Sequence, residues 1–212
     1  MVTIVKKMWF NIQCRGLFNL FFITIIRLLQ KVIPFEFLIF FEKSLTSSIE
    51  ELNSKAEISF TRGKWDDLHD LNSEEYQLSG LESYELNSNR DFYLGRMDKI
   101  VFYVWVSYKN IYDDKIFDIA LSENQAYIYR AFTHPDYRGL RIYPAGLSYV
   151  CKQLQMQNIE KCYIAASIEN RSSINGIHRA GFSKIGYAVY FKLLNYKKII
   201  LPRMLQRLAA MY

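Results

Sequence analysis

Cysteine is scarce and follows no pattern in this sequence. Cys14, Cys151 and Cys162 are odd in number, widely spaced, and form no C-x-x-C pair. That spacing argues against a disulfide framework and a cysteine-based zinc site, and fits buried free thiols in a reducing, cytoplasmic setting. Charge is sparse too, at 23% of residues against 50% apolar and 16% aromatic, the reverse of a disordered chain. Internal repeats and low-complexity tracts are lacking. Acidic residues are outnumbered, 21 against 27 basic, giving a net charge of +6. Much of the excess lies near the two ends, and no aromatic-basic motif of an RNA or DNA reader accompanies it, so no nucleic-acid partner is expected. A basic surface of this kind also suits a polyanionic ligand or an anionic membrane face. With 212 residues, the chain has room for one sizeable domain and an appendage.

A membrane-spanning run is also missing. Residues 8–41 are strongly apolar, but Arg15, Arg27, Lys31 and Glu36 interrupt them, and the longest uncharged piece, residues 16–26, falls short of the roughly 20 residues a spanning helix needs. Lys6 and Lys7 before residues 17–26 imitate a signal peptide, yet Arg27, Leu28 and Leu29 stand where a small-residue cleavage site belongs. Two readings stay open for residues 1–45. They form an apolar helical segment, broken near Pro34, that packs on the domain. Alternatively, residues 1–41 lie on a membrane surface with their basic side chains reaching to water. The polar stretch 42–56 is expected to join this segment to the domain.

Downstream, the hydrophobic period changes several times. Residues 57–61, 90–94 and 126–133 read as strands, and the run IVFYVWVSY from Ile100 to Tyr108 is the strongest, dense in β-branched and aromatic side chains. Residues 144–157 carry apolar positions at helical spacing, 162–168 return to strand, 172–180 form a short helix closed by Gly181, and 185–194 make a last strand. This order predicts an α/β domain over 46–195, a mixed and largely antiparallel central sheet flanked by helices, with 196–212 as a basic tail.

Two runs carry chemistry. Between a strand and a helix lies Phe132-Thr-His-Pro-Asp-Tyr-Arg-Gly-Leu-Arg-Ile-Tyr143. A glycine turn at a helix N-terminus gathers backbone N–H groups around an anion, the helix dipole adds attraction, and Arg138 and Arg141 suit phosphate. After the next strand comes Glu169-Asn-Arg-Ser-Ser-Ile-Asn-Gly-Ile-His-Arg-Ala-Gly-Phe182. Together the two runs resemble the GNAT superfamily of N-acetyltransferases. Pro135 to Tyr143 is similar to its P-x-x-R-G-x-G-[IV]-[GA] turn, and Asn170, Ser173, Gly181 and Phe182 are similar to its N-x-x-[AS] and G-F elements. The resemblance covers residues 90–194 well and 57–89 loosely.

That resemblance implies an acyltransferase moving an acetyl group from acetyl-CoA to a primary amine of a small-molecule or cell-envelope precursor, in the cytoplasm or at the inner face of the membrane. It implies that Arg138, Gly139, Leu140, Arg141, Ile142 and Tyr143 hold the CoA diphosphate. Phe132 and Thr133 pair with the pantetheine arm, and Asn170 and Ser173 contact the cofactor from the next strand. No metal is implied. Arg141 stands where the pattern has its second glycine, Tyr143 where it has Gly or Ala, and Ile177 where many members carry a general-acid tyrosine. These departures leave a second reading, a GNAT-like acyl-CoA-binding or interaction module without turnover. Candidates for the chemistry are His178, beside the vacant tyrosine position, Glu169 as a base, and Tyr129, which shares a strand face with Tyr127 and lines either an acceptor pocket or the core. His134 reads as a turn residue. His69 with Asp66, Asp67 and Asp70 reads as a solvated helix start rather than a metal site.

Overall fold

The computed structural model describes residues 25, 35–64, 66–67, 71, 89–113, 117–193 and 196–200. The strands are β1 (Phe35–Ser44), β2 (Ser59–Arg62), β3 (Arg90–Arg96), β4 (Ile100–Ser107), β5 (Asn110–Asp113), β6 (Phe117–Ala120), β7 (Gln125–Thr133), β8 (Lys161–Ser167), β9 (Ser183–Leu193) and β10 (Tyr196–Ile200). Helix α1 (Ile142–Met156) joins β7 to β8, and α2 (Arg171–Arg179) joins β8 to β9. Eight strands form one sheet in the order β10-β9-β1-β8-β7-β4-β3-β2, with β5 and β6 as a separate hairpin. Among the described residues only the β7–β8 pair is parallel. The expected mixed, largely antiparallel sheet flanked by helices is what the chain forms.

Alternation along each strand sorts side chains onto the two faces. Val104, Val106, Ile128, Cys162 and Ile164 meet Leu147, Val150, Leu154, Ile174 and Ile177 of the two helices in the main core. The opposite face is more aromatic. Phe92, Tyr103 and Trp105 form one cluster with Tyr129 and Phe132 against it, and Phe40, Tyr127 and Tyr163 form another under the β5–β6 hairpin. The buried Asp91 is tolerated because Arg62 and the Tyr108 hydroxyl, at 2.8 Å, both donate to it.

Two expected boundaries are corrected. Residues 35–44 are not part of a helical appendage. They are the strand between β8 and β9, hydrogen-bonded to both, with Leu38 opposite Ser167 on one side and Ala188 on the other. Phe40 and Phe41 point to opposite faces and both are fully buried. A strand covered on both faces reads as a continuous apolar run, without the alternation that would separate it from a helix. The membrane-surface alternative therefore fails for residues 37–41, which lie inside the sheet; of residues 1–34 only Ile25 is described. The domain accordingly begins before residue 46. Likewise the tail is not all tail, since Tyr196–Ile200 extends the sheet as β10 beside β9. Among the described residues no helix is long and apolar enough to cross a membrane. The expected Asp-rich turn near Asp66 falls largely outside the described residues, His69 and Asp70 included.

Candidate functional site

The site begins where β7 and β8 part. Their parallel ladder runs from Gln125–Lys161 to Ile128–Ile164 and ends there, although β7 continues to Thr133 and β8 to Ser167. The cause lies in β7. Between the pairs Trp105–Tyr129 and Tyr103–Phe132, β4 advances two residues and β7 three, so one residue is extra. Arg130 is that bulge, with φ 48°. A bulge bends its strand and sharpens its twist, and here it carries the end of β7 away from β8, opening a wedge.

At the end of β7 the chain enters a short 3-10 turn, Pro135–Tyr137. His134 caps it by accepting from the Asp136 N–H through Nδ1 at 3.3 Å. The turn role expected for His134 is thus what its buried ring performs. Arg138 folds back so that its Nε donates to the Thr133 carbonyl at 3.2 Å. Gly139 follows at φ 88°, and a Cβ placed on it would meet no atom within 4 Å; the turn faces open space rather than packed core. Arg141 then adopts φ 60°, ψ 20° as the N-cap of α1, without a side-chain cap. Ala145 N–H to Arg141 O is the first bond of the helix. Ile142 and Tyr143 therefore present N–H groups with no acceptor inside the helix, and Pro144 has none to present.

Helix α2 brings a second N-terminus to the same place. Asn170 is its N-cap, the side-chain oxygen accepting from Ser173 N at 3.1 Å and from Ser172 Oγ at 2.9 Å. The Asn170 amide NH2 is not used in that cap. Between the two helix starts and the end of β7 lies a cavity of about 510 Å³. Phe132, Thr133, Arg138, Gly139, Arg141, Ile142 and Tyr143 line it from one side, Asn170 and Ser173 from the other. Of the residues expected to hold a cofactor, only Leu140 is not on the wall. It packs against the main core, and its carbonyl accepts from Lys55 N. Ala131, Tyr137, Ser172, Asn175, Gly176 and Arg179 also line the cavity and were not singled out by sequence. No acidic side chain lines the wall among the described residues. Three arginines and two helix N-termini on this wall are the chemistry that suits a polyanion. The buried Thr133 Oγ1 has no hydrogen-bond partner; it is a polar atom at the end of β7 that a ligand can satisfy.

Tyr143 explains how a bulky residue fits a turn of this kind. Its ring lies against α2, where a Cβ on Gly176 would come within 2.4 Å of Cδ1, and edge-on to Phe102 at 6.3 Å between centroids. Burial pushes its phenol up to about 12, partly offset by a hydrogen bond with Ser173. The three chemical candidates are not brought to this cavity. His178 is exposed and sits edge-on to Phe41 at 5.1 Å. Glu169 is partly buried on the loop before α2, its N–H donating to Ser167 Oγ. Tyr129 stacks parallel to Tyr127 at 5.9 Å on the aromatic face. Ile177 is fully buried in the main core. Among the described residues no cluster of His, Cys, Asp and Glu is placed to hold a metal.

The sequence matches no protein-family model and no curated protein. The structure, however, is similar to solved N-acetyltransferases. A GNAT-family acetyltransferase structure from Novosphingobium aromaticivorans superposes with a TM-score of 0.55 at 13% identity, over 74% of this chain and 64% of that one. A GCN5-related N-acetyltransferase from Sphaerobacter thermophilus gives 0.55 at 14% identity, over 84% and 56%. One from Kribbella flavida gives 0.53 at 11%, over 75% and 58%. The chain thus spans less than two thirds of the length of these neighbours. At such identities the likeness is one of fold, and the fold is GNAT-like.

Proposed function

We propose that the protein is an acyl-CoA-dependent N-acyltransferase that acetylates a primary amine of a small-molecule or cell-envelope precursor. The observation that carries the proposal is the cavity itself, free of acidic side chains on its described wall, set at two helix N-termini and reaching the end of β7. A CoA thioester has the matching form, a diphosphate at one end and a long, mildly polar arm at the other. The N–H groups of Ile142 and Tyr143, the Gly139 turn, Arg138 and Arg141 would hold the diphosphate. Thr133 Oγ1 and the Asn170 amide would bind the arm, and Arg179 would add charge at the rim.

The thioester supplies the activated acyl carbon, to which the amine nitrogen bonds as the carbon–sulfur bond breaks, the amine proton being lost and the sulfur leaving as thiol. The chain's part is orientation. β7, stripped of its β8 partner beyond Ile128, offers backbone polar groups along the wedge, and one N–H there would polarise the carbonyl. Holding both reactants against this edge replaces a bimolecular encounter with a positioned one. Tyr129, one residue past the last β7–β8 pair, and Glu169, on the loop after β8, remain the candidates for contacting or deprotonating the amine. His178 is less suited, since it points to Phe41.

One observation favours a second reading, a binding module without turnover: the position of the family's acid is occupied by Ile177, buried in the core. Calorimetric titration of the full chain with acetyl-CoA and with CoA, repeated on Gly139→Trp, tests the shared premise. Saturable binding that is lost in a variant with wild-type circular dichroism supports the site. No binding by the folded wild-type chain refutes both readings. Release of CoA thiol with an amine panel then separates enzyme from module.

A further inference from the structure

Helix α2 lines the cavity along its length and not only at its start. Its share of the wall is Ser172, Ser173, Asn175, Gly176 and Arg179, residues whose three- and four-residue spacing puts them on one side of a helix. Three landmarks follow one another along that side. Asn170 and Ser173 stand at the N-terminal end. The turn that starts α1 meets α2 at Gly176, where a Cβ would come within 2.4 Å of the Tyr143 ring. Arg179 closes the row, at a further rise of about 4.5 Å along the axis from Gly176. It is exposed, and among the described residues no carboxylate pairs with it. Its charge therefore lies past the turn, at the end of the wall away from Asn170.

The ligand proposed for this cavity is built in the same order. After the arm comes the diphosphate, and after the diphosphate a nucleoside whose ribose carries a separate phosphate monoester. With the arm at Asn170 and the diphosphate at the turn, the nucleoside end falls toward Arg179. We infer that Arg179 binds the ribose phosphate, and so selects CoA over carriers that share its arm and diphosphate but lack the monoester. This deepens the acyltransferase reading and rests on it. A phosphate monoester is close to doubly charged at neutral pH and offers three acceptor oxygens, which a planar guanidinium meets with paired N–H donors. An arginine in the last turn of a helix also suits the helix dipole, but that role does not distinguish one ligand from another.

The test is calorimetric titration of the full chain with CoA and with dephospho-CoA, which lacks only the ribose phosphate. It is repeated on Arg179→Gln and Arg179→Lys, with circular dichroism to show that both variants fold. The wild type is expected to bind CoA roughly 10- to 100-fold more tightly than dephospho-CoA, the range of hydrogen bonds to charged groups. In Arg179→Gln most of that preference disappears, because CoA binding weakens while dephospho-CoA binding holds; Arg179→Lys keeps part of it. Equal binding of the two ligands by the wild type overturns the inference, and so does a preference undiminished in Arg179→Gln. A variant that loses affinity for both ligands alike overturns it too, placing Arg179 on the diphosphate. Failure of the acyltransferase reading looks different, as a folded wild-type chain that takes neither ligand.

Discussion

Replacing Arg141 by glycine should raise stability and lower cofactor affinity at the same time. The residue sits at φ 60°, ψ 20°, a left-handed conformation that costs a non-glycine residue about 1–2 kcal/mol. Glycine removes that cost but gains freedom in the unfolded chain, which offsets about 0.5–1 kcal/mol. The net expectation is a gain of about 0.5–1 kcal/mol, or roughly 1–4 °C in Tm for a domain of this size. Arg141 makes no side-chain cap, and glycine is an acceptable N-cap, so no compensating loss is expected at the helix start. Affinity for acetyl-CoA should nonetheless fall about 10-fold or more, since a guanidinium on the wall of the proposed diphosphate site is lost. Arg141→Ala is the control. It removes the same charge while keeping the strain, so it should bind as weakly as the glycine variant with no rise in Tm. Differential scanning calorimetry and titration calorimetry on the three proteins give both readouts. A glycine variant no more stable than the alanine variant refutes the strain argument, and unchanged affinity in both refutes the placement of the diphosphate.

Three further outcomes follow from the packing. Phe41→Ala should cost about 3–5 kcal/mol in urea unfolding, since its ring is fully buried on a strand held from both sides; a cost below 1 kcal/mol contradicts the central place of β1. Gly176→Ala should destabilise by about 1–3 kcal/mol, because its methyl would meet the Tyr143 ring at 2.4 Å. In a Tyr143→Ala background the same change should turn neutral or stabilising, by up to about 1 kcal/mol of helix propensity; an unchanged sign breaks the proposed pairing. The third concerns alkaline pH. The Tyr143 phenol is pushed up to about 12 by burial, while in the unfolded chain it titrates near 10. Between these values the unfolded state has released the proton and the folded state still holds it, so stability falls as pH rises through this window and is unaffected below it. Tyr143→Phe should make that fall shallower, by about 3 kcal/mol across the window, and an identical alkaline limb would show that the phenol is not shielded.

The sequence made the middle of the fold legible and both ends misleading, for a common reason. β3, β7 and α1 carry the ordinary signals of alternation or helical period, and the turn from Pro135 to Tyr143 announces itself by its glycine and arginines. β1 carries no such signal. Phe-Leu-Ile-Phe-Phe is apolar throughout because both faces of that strand are covered, and a stretch near an N-terminus with that composition imitates a packed or membrane-lying helix. β10 is hidden differently, since Tyr-Lys-Lys-Ile-Ile reads as a basic tail until β9 is available to pair with it. β5 and β6 are four-residue strands, too short for a period. In the site, residues on the turn could be named from local pattern. Arg179 and Gly176 could not, because what brings them to the wall is the convergence of two helix starts, a long-range fact. The Tyr-Ile-Tyr-Arg stretch of β7 gives no sign of a bulge; Arg130's place as the extra residue is visible only in the β4–β7 register.

The departures from the family turn fall at positions of unequal consequence. At 141 and 143 the expected contacts with a diphosphate are made by backbone N–H groups, so a different side chain is tolerated if the backbone keeps its path. Arg141 keeps it at the cost of left-handed strain, and Tyr143 keeps it by turning its ring against Gly176, away from the N–H groups of the turn. Position 177 is different, because a proton donor there acts through its side chain and Ile177 has none to give. Binding is therefore expected to survive these changes better than turnover does. In an active enzyme the leaving sulfur would take its proton from water or from a phenol on the cavity wall. Of the two wall phenols, Tyr137 is engaged in donating to Asp98 at 2.7 Å, and Tyr143 is held protonated at neutral pH. A chain that binds acetyl-CoA tightly and loses turnover selectively in Tyr143→Phe would assign it that proton; equal turnover in the variant would leave the solvent as donor.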